Sequence, residues 1–276
     1  MMQEQSTVHY QPVPARDFTY EMYDALITVL RNENYSFTTL REYLTESDLP
    51  RKLVVLRHDI DRKPENALDI ARIEASQDVT STYYFRTIEK TFKPSLIREI
   101  ESLGHEIGYH YEDMDRTGGD VWAARKSFAD HLERLRMHVD VDTVCMHGNP
   151  LTRYDNRDMW SGNETKMYDT YDLAGEAYLS VDFTDLIYFS DTGRIWRDGS
   201  LKVKDHTVGQ DAKSVQVDGT PDLIDHIRSG DTDRFYLLTH PNRWAANSFE
   251  LLVEATKDSI TNLGKYVLQA TTYRHQ

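Results

Sequence analysis

The sequence predicts an α/β fold built on a mainly parallel sheet, and three observations carry that prediction. Short apolar runs alternate with stretches of helical periodicity along most of the chain, and strands joined by helical crossovers lie parallel. Several of these runs end in His or Asp, at the point where a barrel mouth or open sheet gathers the carboxyl ends of its strands. A chain of 276 residues with 39% hydrophobic side chains can bury the core of one α/β barrel or of two smaller domains. With no repeat, low-complexity tract or linker, one domain over 1–276 is expected: a helical lead-in over 1–50, a motif-bearing core over 52–244, and a terminal helix and tail over 248–276.

The elements follow in order. Met22, Tyr23, Leu26, Ile27 and Leu30 recur at helical spacing over 20–31, and 38–43 reads as the start of a second short helix. Leu53, Val54, Val55 and Leu56 mark the first strand, 52–58. Pro64 suits the first turn of a helix whose apolar positions Ala67, Leu68, Ala71 and Ile73 share a face. The pattern repeats with a β-rich run at 81–86, a helix over 94–103 closed by Gly104, and a short strand at 106–109. A longer helix over 121–137 is expected to turn Trp122, Phe128, Leu132 and Leu135 inward, before a strand at 143–146. The segment 151–217 is rich in Asp, Asn, Gly, Tyr and Trp without clear periodicity, as long functional loops often are. Order returns with a strand at 235–239 and a terminal helix over 248–263.

Composition removes some classes of function. With 32 Lys+Arg against 46 Asp+Glu the formal charge is −14, which argues against a phosphate-backbone footprint and therefore against nucleic acid as a partner. The lone Cys145 allows no internal disulfide and suits a reducing compartment. The first residues hold no cationic segment leading into an apolar one, and no apolar run is long enough to span a bilayer. A soluble, cytoplasmic protein without a membrane span is expected; composition leaves its oligomeric state open.

Strand ends carry the chemistry. Asp59 and Asp61 are one residue apart at the end of a buried-type strand and flanked by Arg57 and His58. Such a pair can divide its labour, one carboxylate on a cation and the other free to take a proton. His110, His147 and His240 each follow an apolar run, and imidazoles delivered from several strand ends can build a metal site with open positions. His9, His131, His138, His206, His226 and His275 lie in helical or polar surroundings and are read as surface residues. Trp160, Tyr188, Trp196 and Trp244, with Arg194, could wall a sugar-binding pocket, because aromatic faces pack on pyranose C–H faces; burial in the core is the other reading for Tyr188 and Trp160.

On these motifs the chain resembles the polysaccharide deacetylase (NodB-homology) family of metal-dependent carbohydrate esterases. Arg57-His58-Asp59-Ile60-Asp61 stands where that family has T-F-D-D-G, and is closer to the L-R-x-D-V-D form of the lipid-linked aminoarabinose deformylases. Gly104-His105-Glu106-Ile107-Gly108-Tyr109-His110 is similar to the start of G-H-E-I-G-N-H-T-x-x-H, and Leu237-Leu238-Thr239-His240-Pro241 to the late L-x-H motif. The resemblance implies a distorted (β/α) barrel of about seven mainly parallel strands. It also implies Asp59 as general base, Asp61 and His110 as metal ligands, His240 as general acid, and a structural place for His105. The family's second histidine ligand would fall at Met114, a poor donor for hard or borderline cations; Glu112 and His147 are the two candidates to replace it. The implied activity is removal of an N-acyl group, most simply acetyl, from an amino sugar or glycan precursor with a divalent metal, zinc the expected ion. A metal-independent amide hydrolase on the same barrel and an inactive glycan-binding homologue are the rival readings.

Overall fold

The computed structural model describes residues 13–14, 16–162, 164–198, 215–247 and 250–251. In chain order the elements are α1 (Tyr20–Asn32), β1 (Ser36–Thr38), α2 (Leu40–Thr45), β2 (Leu53–Ile60), α3 (Pro64–Ser76), β3 (Thr82–Phe85), α4 (Pro94–Ser102) and β4 (Glu106–Tyr111). They continue with α5 (Asp113–Arg116), α6 (Val121–Arg136), β5 (Thr143–Met146), α7 (Glu164–Tyr171), β6 (Gly175–Glu176), β7 (Ile187–Ser190), α8 (Thr220–Ser229) and β8 (Arg234–Thr239).

Every strand pairing is parallel, in the order β6-β5-β4-β3-β2-β8-β7. The sheet curls into a half-barrel with helices, consistent with the distorted (β/α) barrel that the motif resemblance implies. The short β1 lies beside the lower half of β2, pairing Ser36 to Leu53 and Thr38 to Val55, while β3 takes the upper half from Arg57 to Ile60. Among the described residues β6 and β7 do not pair. Beside β7, Phe183 and Tyr188 lie edge to face, and both contact Tyr236 of β8.

All eight residues of β2 are buried, as expected for a strand covered on both faces. Successive side chains then alternate between the barrel interior and the helical layer. Val55, Arg57 and Asp59 point inward with Tyr84, Gly108, Tyr236 and Leu238 beside them in register, and His58 points outward with Tyr83 and Thr239. Gly108 is required by a close approach: a Cβ there would lie 2.2 Å from the Tyr84 ring, which crosses β4 to reach Thr143 Oγ1 at 2.7 Å.

The helices begin where side chains can satisfy their free N–H groups. Thr19 accepts from Met22 N, Thr39 and Glu42 form a reciprocal box around α2, and Asp120 accepts from Ala123 N at 3.0 Å. Phe128, Leu132 and Leu135 of α6 pack inward as expected. Trp122 does not, and this corrects the sequence reading: it is 77% exposed. It sits in the first turn of α6, where the helical stripe has not yet come over the sheet.

The segment 151–217 holds elements that periodicity did not show: α7, β6 and β7. These strands have two and four residues, too few for alternation to stand out. Helix α8 and the short β1 add to the elements expected from the sequence. The expected helix over 248–263 lies outside the described residues apart from 250–251. No helix among the described residues is long and apolar enough to cross a membrane.

The chain has four tryptophans, and Trp160, Trp196 and Trp244 are buried. Acrylamide quenching of the folded protein should therefore report Trp122 alone. Trp122→Phe is expected to remove the quenchable emission and to shift stability by no more than about 0.5 kcal/mol; strong quenching that survives the substitution would contradict the packing described.

Candidate active site

Period-two alternation delivers the site. Asp59 and Asp61 leave β2 on the interior face, His110 leaves β4 on the same face, and Cys145 with His147 leave β5 there too. His240 follows β8 in the same phase as Tyr236 and Leu238. His105 is an odd number of residues from His110 and faces the helices instead. There its Nε2 donates to the Ala71 carbonyl at 3.0 Å.

Asp61, His110 and His147 converge at the carboxyl end of the sheet. Asp61 Oδ1 lies 3.0 Å from His147 Nδ1 and 3.5 Å from His110 Nε2, and the two ring nitrogens are 3.4 Å apart. His110 Nδ1 donates to the Cys145 carbonyl at 3.0 Å, so in the neutral ring Nε2 presents its lone pair to Asp61. Asp61 Oδ1 is itself buried and accepts no aligned hydrogen bond. Burial would raise the Asp61 carboxyl, but the charge of His147 and the contacts with His110, His147 and His240 hold it well below the ordinary range. With both imidazoles neutral, Asp61, His110 and His147 bring three electron-pair donors together, one of them a carboxylate oxygen without an aligned hydrogen bond, and such a set a cation would satisfy.

A second set, Asp59, His110 and Cys145, is wholly buried and shares His110. It suits a cation less, because the charge of Asp59 is already answered. Arg57 Nε donates to Asp59 Oδ1 at 2.8 Å and Nη2 to Oδ2 at 2.6 Å, a bidentate fork. The guanidinium is caged by the rings of Tyr84, Tyr178 and Tyr236, closest to Tyr178 at 4.4 Å. Burial pushes the Asp59 carboxyl up, yet Arg57, with His110, holds it below the usual carboxylate range.

His240 enters from the opposite side of the mouth, its Nε2 4.0 Å from Asp61 Oδ2. Its Nδ1 donates to Asp191 Oδ1 at 2.7 Å and its backbone N to Oδ2 at 2.9 Å. Asp191 also accepts from Arg243 Nη1 and from Trp244 Nε1, both at 2.9 Å. Burial acts to raise this carboxyl, and His240 and Arg243 outweigh it. Asp191 escaped sequence reasoning, although it ends the apolar run of β7 as the other site residues end theirs. That run lay inside the unpatterned segment.

Several expectations change. Glu112 is not part of the cluster: the chain turns after Tyr111, and the carboxylate pairs with Arg86 and, at 2.7 Å, with Arg116. Met114 is buried in the core. Trp196 and Trp244 offer no open face to a sugar, correcting that reading, because both rings pack on Phe18 and on each other beneath the site. Trp160 is likewise buried against Tyr111 and Phe128, and Tyr188 is buried against Tyr236. Arg194 is half-buried with a left-handed backbone, and its Nε donates to the Arg243 carbonyl at 3.1 Å.

Behind β2, on the helical side, His58 Nε2 donates to Glu74 Oε1 at 2.8 Å. Glu74 accepts as well from Tyr23 and, at 2.7 Å each, from Ser81 and Tyr83. Against the cost of burial, His58, His105 and Tyr23 bring its carboxyl down to about 2.

No protein-family model and no curated protein matches the chain. Its folded shape is similar to solved carbohydrate esterases of family 4 (CE4). A CE4 family pseudoenzyme from Bacillus anthracis aligns at 12% identity and a TM-score of 0.41 over 76% of this chain and 62% of its own. A mutant of that pseudoenzyme with restored enzymatic activity gives the same identity and TM-score over 77% and 64%. A family 4 carbohydrate esterase from Bacillus anthracis aligns at 12% and 0.36 over 93% and 90%. A mutant of the peptidoglycan deacetylase PdaC from Bacillus subtilis aligns at 14% and 0.37 over 79% and 98%. The chain thus spans under two thirds of the length of the pseudoenzyme.

Two predictions concern the charges around β2. Arg57→Met leaves Asp59 buried and unpaired and should cost about 3–5 kcal/mol, read by denaturant melts; adding Asp59→Leu should recover most of the loss. For Glu74, the folded carboxyl at about 2 lies below its ordinary 4.5. Its contribution, on the order of 3 kcal/mol, is therefore present above pH 4.5 and lost as pH falls towards 2. Glu74→Gln should flatten the acid limb of stability in that window, and an unchanged limb would refute the assignment.

Proposed function

We propose that this chain is a divergent deacetylase-type hydrolase that removes an N-acyl group, most simply acetyl, from an amino sugar or glycan precursor. The observation that carries the reading is the convergence of Asp61, His110 and His147 around a buried, orphaned carboxylate oxygen, with a second carboxylate and a tethered histidine on either side. The motif resemblance supplies the substrate class.

Asp61, His110 and His147 would hold a divalent cation, and two imidazoles with one carboxylate suit zinc while leaving positions open. Bound there, such an ion supplies Lewis acidity towards an acyl oxygen and makes water acidic. Asp59 is the nearby carboxylate not committed to the cation, and Arg57 keeps it ionised, the form a general base needs at rest. His240 turns Nε2 towards the site while Asp191 holds Nδ1. That contact fixes the ring's orientation and stabilises its protonated form, so Nε2 can deliver a proton to the departing amine.

Elemental analysis of the purified protein, paired with acetate release from N-acetylated sugars with and without chelator, tests the whole reading. Stoichiometric zinc with chelator-sensitive release is expected; no metal and no release would sink it. Among variants, Asp61→Asn should lose both zinc and turnover. Asp59→Asn and His240→Gln should keep zinc and lose about 10²–10⁴ in turnover. Loss of metal on Asp59→Asn would mean that the two aspartates are assigned the wrong way round.

A further inference from the structure

Glu74 lies on α3, on the far side of β2 from the reacting groups, yet it connects to His240 along two routes, and its helix adds a third. First, Glu74 binds His58 Nε2, and His58 Nδ1 meets Thr239 Oγ1 at 2.6 Å, one residue before His240. Second, Tyr23 donates to Glu74 and sets its ring edge-on to Trp244, with centroids 5.1 Å apart. Trp244 Nε1 in turn donates to Asp191, the carboxylate that holds His240 Nδ1. Third, Asn66 of the same helix donates from Nδ2 to the Trp244 carbonyl at 3.0 Å and to the Pro241 carbonyl at 3.4 Å.

Packing alone does not call for this arrangement. Taking a carboxylate out of water costs several kcal/mol even when it is paired, and an apolar side chain would fill the same space without that cost. What the charge adds is direction. An ionised Glu74 requires a proton on His58 Nε2, and the contact of Nδ1 with the Thr239 hydroxyl, whichever of the two donates, fixes that side chain next to His240 in the chain. The register that pairs His58 with Thr239 joins the strand end carrying Asp59 and Asp61 to the one carrying His240.

We propose that Glu74, acting through His58 and Thr239 and through Tyr23 and Trp244, is a positioning residue that sets the orientation of the His240 ring towards Asp61. The inference rests on the reading of His240 as the proton donor. Misplacement of such a group by about 1 Å is enough to cost a large factor in rate.

The test uses the full chain with ¹⁵N-labelled histidine, comparing wild type with Glu74→Gln and Thr239→Val by long-range ring-nitrogen correlation at one fixed pH. Both variants are expected to shift the Nδ1 and Nε2 signals of His240 and to lower kcat about 10- to 100-fold, with KM within about twofold. Glu74→Asp should restore part of the signal positions. Thr239→Val, which removes one hydroxyl, carries the comparison if Glu74→Gln does not fold. His240 signals that superpose on wild type in the folded variants, with only the melting temperature lowered, would overturn the proposal and leave Glu74 a structural residue. If wild type releases no acyl group, the functional reading falls, and the ring signals still decide this inference.

Discussion

A strand covered on both faces cannot send a charge into water, so every ionisable residue it carries must be answered inside the fold. β2 carries three in succession, and the structure is arranged around them. Asp59 faces inward and is held by Arg57, two residues earlier on the same face. His58 faces outward and is met by Glu74 of α3. The two answers differ in kind: the inner pair is local in sequence and caged by aromatic rings, whereas the outer one ties together α1, α3, β3 and β8.

This arrangement explains why Asp61 differs from Asp59 despite the matching residue type. Asp59 is still within the strand, where the fork from Arg57 compensates its charge. Asp61 lies just past the strand end, half-buried, with a carboxylate oxygen that no donor satisfies and two imidazoles beside it. The division of labour follows from position: a carboxylate held in a guanidinium fork offers little to a cation, and one that faces only imidazoles offers much. His240 adds a third environment, in which a buried aspartate with four donors holds an imidazole by its far nitrogen.

A good part of this was legible without coordinates. The alternation of strands and helices defined the parallel sheet, and the ends of the apolar runs named Asp59, Asp61, His110, His147 and His240, which the structure gathers at one edge. The motif resemblance gave His105 a structural place apart from His110, and the structure supplies the reason: the two leave the chain on opposite faces. Less legible was the segment from 151 to 217, whose strands are too short for periodicity to register. Asp191 was lost with it.

The sequence by itself determined the strand ends and the face on which each side chain leaves them, because both depend on local backbone geometry. Only the tertiary structure decided which of these residues meet and which are taken by other partners. Glu112 has the right parity, but two arginines from other elements draw it aside. Trp196 and Trp244 have the right chemistry for a sugar, but Phe18, far away in the chain, covers them. Cover and competition come from residues distant in sequence, so no local pattern encodes them.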